Sequence, residues 1–216
     1  MFNSLIHRLI NKHSSLNISV SAIMLHGMKP VGNVCTNIER NCIKGFVCPA
    51  IHAEVNAISS YFGKNLGYSK KNGWSINNYH KKKINSNLNI MVIRYKNDNT
   101  LGNARPCYKC TLMMRNIGIN KVYYSMDNHI HCEKIKNMIS VNISSSWRQI
   151  EIHNYNNLTD YYRHIISMMP QTIKLPNAEL FLKHIEHEII GCTYKLLNDK
   201  LIIYINNIII ANIIII

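Results

Sequence analysis

At 216 residues the chain is long enough for one domain with a full core and an appendage. Its formal charge of +14 is concentrated in residues 1–150, which hold 20 Lys/Arg against 5 Asp/Glu, whereas residues 151–216 hold 5 against 6. That imbalance suits a polyanionic substrate or partner for the first part, or follows from a composition rich in Ile, Asn and Lys. The seven cysteines, odd in number and irregularly spaced with no secretory leader, argue against a disulfide framework and for the cytoplasm or another reducing compartment.

The first fifteen residues carry the apolar pairs Leu5/Ile6 and Leu9/Ile10 at helical spacing, which predicts a short packing helix. Arg8, Lys12 and the lack of any acid before Glu39 keep an organellar transit peptide as the alternative. Ile18 to Leu25 reads as a strand, His26 to Pro30 as a turn and Val31 to Thr36 as the returning strand. Residues 39–51 look irregular. A helix is expected from His52 through Phe62, with Gly63 as its stop. Lys64 to Asn87 is polar, basic and without periodicity. Leu88 to Tyr95 is a strand, Asn97 to Ala104 a loop, and Cys107 to Asn116 a second helix stopped around Gly118. Val122 to Ser125 is another strand. Beyond Ser140 the signals weaken to a helix over Ala178 to Ile190 and a hairpin from Cys192–Leu197 and Lys200–Ile205. The Ile-rich stretch Leu201 to Ile216, broken by Asn206, Asn207 and Asn212, is too short to span a bilayer, and no membrane association is expected.

The order β-β-α-β-α-β predicts an α/β protein, a three-layer sandwich of helices around a central mixed sheet. Residues 1–145 would form this domain and 146–216 a C-terminal extension. That extension could complete a sheet edge or mediate assembly as a homo-oligomer.

Two short motifs carry chemistry, His52-Ala53-Glu54 and Pro106-Cys107-Tyr108-Lys109-Cys110. Cysteines at i and i+3 on one helix share a face, so both sulfurs can reach one ion. Zinc takes thiolate and imidazole in tetrahedral geometry, and three protein donors leave the fourth position to water. Both motifs fall at an expected helix N-terminus, where the dipole favours thiolate. Two thiolates and a neutral imidazole cancel the 2+ charge of zinc, so a neighbouring carboxylate is needed to move the proton of the water, and Glu54 is placed for it. His-x-Glu alone carries little weight, since His131-Cys132-Glu133 and His184-Ile185-Glu186 also match it. Pro-Cys-x-x-Cys is far rarer, and only the first His-x-Glu opens a plausible helix upstream of it. The competing reading is an inactive, zinc-stabilised nucleic-acid-binding protein whose structural site takes Cys48 or Cys132 as fourth ligand.

With these motifs the chain resembles the zinc-dependent cytidine and deoxycytidylate deaminases, whose signature is His-Ala-Glu followed by Pro-Cys-x-x-Cys. The likeness extends over His52-Ala53-Glu54-Val55-Asn56-Ala57-Ile58 and from Cys107 through Gly118-Ile119-Asn120-Lys121-Val122-Tyr123-Tyr124, about residues 18–140 in all. It implies hydrolysis of the amino group at C4 of a cytosine ring. Glu54 would protonate the ring nitrogen and then the departing amine. It also implies substrate contacts from Asn37 and from backbone groups of Ala53 and Arg105.

Lys64 to Asn87 is longer than that family needs. It holds Lys64, Lys70, Lys71, Lys81, Lys82 and Lys83 without an acid, with Tyr68, Trp74 and Tyr79 interleaved. This pattern suits single-stranded nucleic acid or nucleotide phosphates, or else a solvated loop. The substrate class therefore stays open between free nucleotides and polynucleotides. Tyr108-Lys109 lacks the Met associated with a tRNA-adenosine branch, which favours cytosine.

Overall fold

The computed structural model describes residues 2–12, 14, 18–77, 87–140, 142, 144, 158–167, 172–173, 182, 192–198, 200–205 and 208–215. The chain divides into two compact units, Met1–Ile135 and Lys136–Ile216.

The first unit is built on a mixed sheet. β1 (Ser19–His26) turns through Gly27 and Met28 into the short β2 (Lys29–Pro30), and the chain returns to pair again as β3 (Cys35–Thr36). Of the expected returning strand Val31 to Thr36 only Cys35–Thr36 pairs as a strand, and Lys29–Pro30 of the expected turn already pairs with β1. A small hairpin, β4 (Cys42–Ile43) and β5 (Phe46–Val47), precedes α2 (Ala53–Phe62); α1 (Phe2–Ile10) opens the chain. After β6 (Leu66–Ser69) and β7 (Gly73–Ile76) come β8 (Leu88–Tyr95), β9 (Leu101–Gly102), α3 (Tyr108–Ile117), β10 (Lys121–Met126) and β11 (His129–Lys134). The sheet order is β11-β10-β8-β1-β2, with β3 also on β1 and β9 also on β8. β8 and β10 are parallel, which requires a crossover, and α3 supplies it. The other pairings are antiparallel.

Both faces of β1 and β8 are buried, so their side chains alternate between two apolar layers. Ile23, Leu25, Met91 and Ile93 pack under Leu5 and Leu9 of α1. The initial segment is therefore a helix folded onto the sheet. On the opposite face α2 lies over β1, and Gly32 sits where an added Cβ would touch both Met24 and Tyr61. Helices cover both faces, as a three-layer α/β/α sandwich requires.

The basic stretch after α2 is not a plain loop. β6 and β7 form a hairpin with Leu66, Trp74 and Ile76 buried. Phe46, Tyr68 and Trp74 pack ring against ring at centroid distances of 4.8 to 5.1 Å. This ties the hairpin to β4–β5, and β7 packs on α3. Periodicity is faint here because the strands are four residues long and only one face is apolar. Tyr79 and Lys81 to Lys83 lie outside the described residues.

The second unit has a four-stranded sheet in the order β12-β15-β14-β13, from β12 (Thr172–Ile173), β13 (Cys192–Leu197), β14 (Lys200–Ile205) and β15 (Ile208–Ile215). The expected hairpin is β13–β14, turning at Asn198 with φ of 45°. The terminal isoleucines form β15, against which α4 (Leu158–Ser167) packs. Tyr162, Ile166, Leu201, Ile203, Ile205 and Ile213 are buried. The helix expected over Ala178–Ile190 falls outside the described residues, apart from Leu182. No helix among the described residues is long and apolar enough to cross a membrane.

Candidate metal and active site

Two helix N-termini converge on one point. His52 is the N-cap of α2 and Cys107 the N-cap of α3, and neither side chain caps its own helix. Both are turned instead towards each other. Each helix start is held by its neighbours. Ile38 and Ile51 form an isolated antiparallel bridge just ahead of His52, and Asn56 Nδ2 donates to the Thr36 carbonyl at 2.9 Å. The Thr111 hydroxyl donates to the Cys107 carbonyl at 3.0 Å. Gly118 adopts a left-handed φ of 82° and closes α3 by donating to the Met114 and Arg115 carbonyls.

His52 Nδ1 lies 3.5 Å from Cys107 Sγ and 3.3 Å from Cys110 Sγ, and the three donor atoms fall within 4.8 Å of one another. A tetrahedral zinc with Zn–N near 2.0–2.1 Å and Zn–S near 2.3 Å separates N from S by about 3.6 Å. The donor set and its spacing fit zinc. Among the described residues, this trio is the His/Cys/Asp/Glu group spaced to hold a metal, and Cys48 and Cys132 are not part of it. Cys132 is exposed and registers with Tyr123, on the side of the sheet that α1 packs.

The charges of the cluster are strongly interdependent. The Cys110 hydrogen bond and the nearby His52 pull Cys107 well below the ordinary thiol range, against burial. That same hydrogen bond and burial push Cys110 up. Burial disfavours a charged His52, but the adjacent Cys107 outweighs it, and the imidazole is raised to about 9. Glu54 is 5 % exposed, and burial raises its carboxyl. A buried thiolate and carboxyl beside a partly buried imidazole form a set that a divalent cation would suit.

Of the residues expected to contact substrate, Ala53 is fully buried as the first residue of α2. Asn37 serves the fold: its Oδ1 accepts from the Val20 amide at 2.9 Å and its Nδ2 donates to the Ile18 carbonyl at 2.7 Å, fixing the entry to β1. The Arg105 amide donates to Asn103 Oδ1 at 2.9 Å, and its side chain is buried in an ion pair with Glu133. Glu133 and Tyr124, which frame that pair, were not legible as site neighbours. The sequence marks Glu133 only as one of five acids in the first 150 residues and as part of a His-x-Glu match, and Tyr124 only as the end of the family-like run.

Residues 2–126 match the cytidine and deoxycytidylate deaminase zinc-binding region. A solved structure, the 1.6 Å crystal structure of cytidine deaminase from Burkholderia pseudomallei, is similar at 15 % identity, over 66 % of this chain and 99 % of that one, with a TM-score of 0.40. No curated protein matches the chain. With more than half its length matched and the His52, Cys107 and Cys110 donors gathered at one point, the chain belongs to the cytidine and deoxycytidylate deaminase family.

Proposed function

We propose that the chain catalyses hydrolytic deamination of a cytosine nucleotide, with a monophosphate such as dCMP or CMP as substrate and ammonia and the uracil nucleotide as products. The observation that carries the reading is the buried Glu54 two residues after a histidine whose Nδ1 faces two cysteine sulfurs at 3.3 and 3.5 Å. His52, Cys107 and Cys110 would hold zinc, which when bound supplies a Lewis acid that makes water a nucleophile near neutral pH. Glu54 takes a proton from the attacking water and delivers it to N3 of the ring, which makes C4 electrophilic. It then takes the second proton from the hydroxyl now on C4 and delivers it to the amine, so that the C–N bond breaks, ammonia leaves and the C4 carbonyl forms. Burial suits this role, because a carboxyl shielded from bulk water passes its proton on within the site.

A strand-sized substrate is less well supported. Trp74, one of the aromatic residues available for base stacking, is 7 % exposed and packed against Phe46 and Tyr68. A purely structural zinc site would use a fourth Cys or His, and the described residues offer three donors. The test is uracil formation by purified protein from dCMP, CMP, cytidine, and single-stranded DNA and RNA. Turnover of strands alone would retire the monophosphate reading. No turnover of any cytosine substrate by zinc-loaded protein would retire the reaction.

A further inference from the structure

The residue two positions before Cys107 is tied to the far edge of the sheet. Arg105 Nε donates to Glu133 Oε1 at 3.0 Å and Nη2 to Oε2 at 3.2 Å, with both side chains fully buried. The Tyr124 hydroxyl donates to the same Oε1 at 2.6 Å, and its ring stacks on His131 at a centroid distance of 5.7 Å. Glu133 sits on β11 opposite Val122, so the carboxylate is fixed by paired strands as well as by its hydrogen bonds.

Net stability does not explain this arrangement. A buried ion pair loses its hydration, and apolar groups of the same volume commonly serve a core as well or better. What a two-pronged guanidinium–carboxylate contact adds is orientation, because the planar fork fixes both distance and angle. Between that anchor and the first sulfur stands only Pro106, whose φ is restrained. The Ala104 amide donates to the Ser125 carbonyl at 2.7 Å, holding the start of the same run to β10. The segment entering α3 is therefore registered to the sheet from both its backbone and its side chain.

We infer that Arg105 and Glu133 are positioning residues for the metal site, holding Cys107, and through the first turn of α3 Cys110, in ligating geometry. The inference rests on the zinc-site reading. It assigns a role to a buried pair outside the ligand set, in the way that outer partners orient metal ligands elsewhere.

The test compares the parent with Arg105→Met/Glu133→Leu, which removes both charges together, and with Arg105→Lys, which keeps charge and loses the fork. Each is loaded with Co²⁺ to record the visible ligand-field band, and zinc affinity is measured by chelator competition. With metal removed from both proteins, the double variant should keep the parent's thermal midpoint and far-UV circular dichroism. Its zinc affinity should fall about 10–100-fold and its cobalt band should weaken or shift. If the double variant does not fold, Arg105→Lys decides, with a smaller loss and the same spectral change expected. A folded variant with affinity within about twofold of the parent and an unaltered cobalt band would overturn the inference. A parent that binds neither metal would overturn the zinc-site reading itself, and the inference with it.

Discussion

His52 Nδ1 and Cys110 Sγ stand 3.3 Å apart although 58 residues separate them in sequence. Such an approach depends on α2 and α3 presenting their N-termini to one point, so the metal should link the two helices. Cys107→Ala or Cys110→Ala should reduce bound zinc from one per chain to a small fraction in elemental analysis. Chelation should lower the thermal midpoint of the parent and leave the mutants, already zinc-poor, nearly unmoved. Full zinc occupancy in Cys107→Ala would remove that residue from the ligand set.

The aromatic cluster makes a prediction of the opposite kind. Trp74 bridges Phe46 and Tyr68, so Trp74→Ala should cost about 3–5 kcal/mol of stability in urea unfolding. Loss of oligonucleotide binding with stability unchanged would show that the ring serves a ligand and not the core.

The basic segment from Lys64 to Asn87 is tested by salt. On the monophosphate reading at most two phosphate charges are engaged, so binding of dCMP should weaken little with salt. A strand releases counterions at a slope of about −0.7 per phosphate neutralised. Replacing Lys81, Lys82 and Lys83 by serine should leave the KM for dCMP within about twofold, and no oligonucleotide should bind at low salt. A steep salt slope that the triple replacement flattens by about two units would place a strand there instead.

At Gly118 the left-handed φ of 82° leaves open space around an added Cβ, so conformation alone is at stake. Gly118→Ala should cost about 1–2 kcal/mol, read from denaturant midpoints. An unchanged midpoint would mean that the end of α3 rearranges freely.

The legible parts of the chain were those in which one residue type serves one purpose. Apolar runs at Ile18–Leu25 and Leu88–Tyr95 became the two central strands, and glycines at 63 and 118 marked the ends of helices. The trio His52, Cys107 and Cys110 could be read because soft donors at short spacing have few other uses. The hidden parts have sequence patterns that serve two masters. β11 reads His-Ile-His-Cys-Glu-Lys, without apolar alternation, because it is an edge strand whose inward Glu133 is matched by Arg105. The β6–β7 hairpin hides its apolar face in two four-residue strands among lysines. Arg105 was expected to offer its backbone to substrate, and no local pattern reveals a partner 28 residues away.

Glu54→Gln separates proton transfer from metal binding, because the amide preserves shape and burial but cannot accept a proton. General acid–base groups typically contribute about 10²–10⁴-fold, and a residue serving successive transfers belongs at the upper end. The measurement is kcat on dCMP together with zinc content and thermal midpoint for the parent and the variant. Zinc should stay at one per chain and the midpoint near the parent's, while kcat falls by about 10⁴-fold. Turnover near the parent's in a zinc-replete, folded Glu54→Gln protein would remove Glu54 from the proton-transfer role.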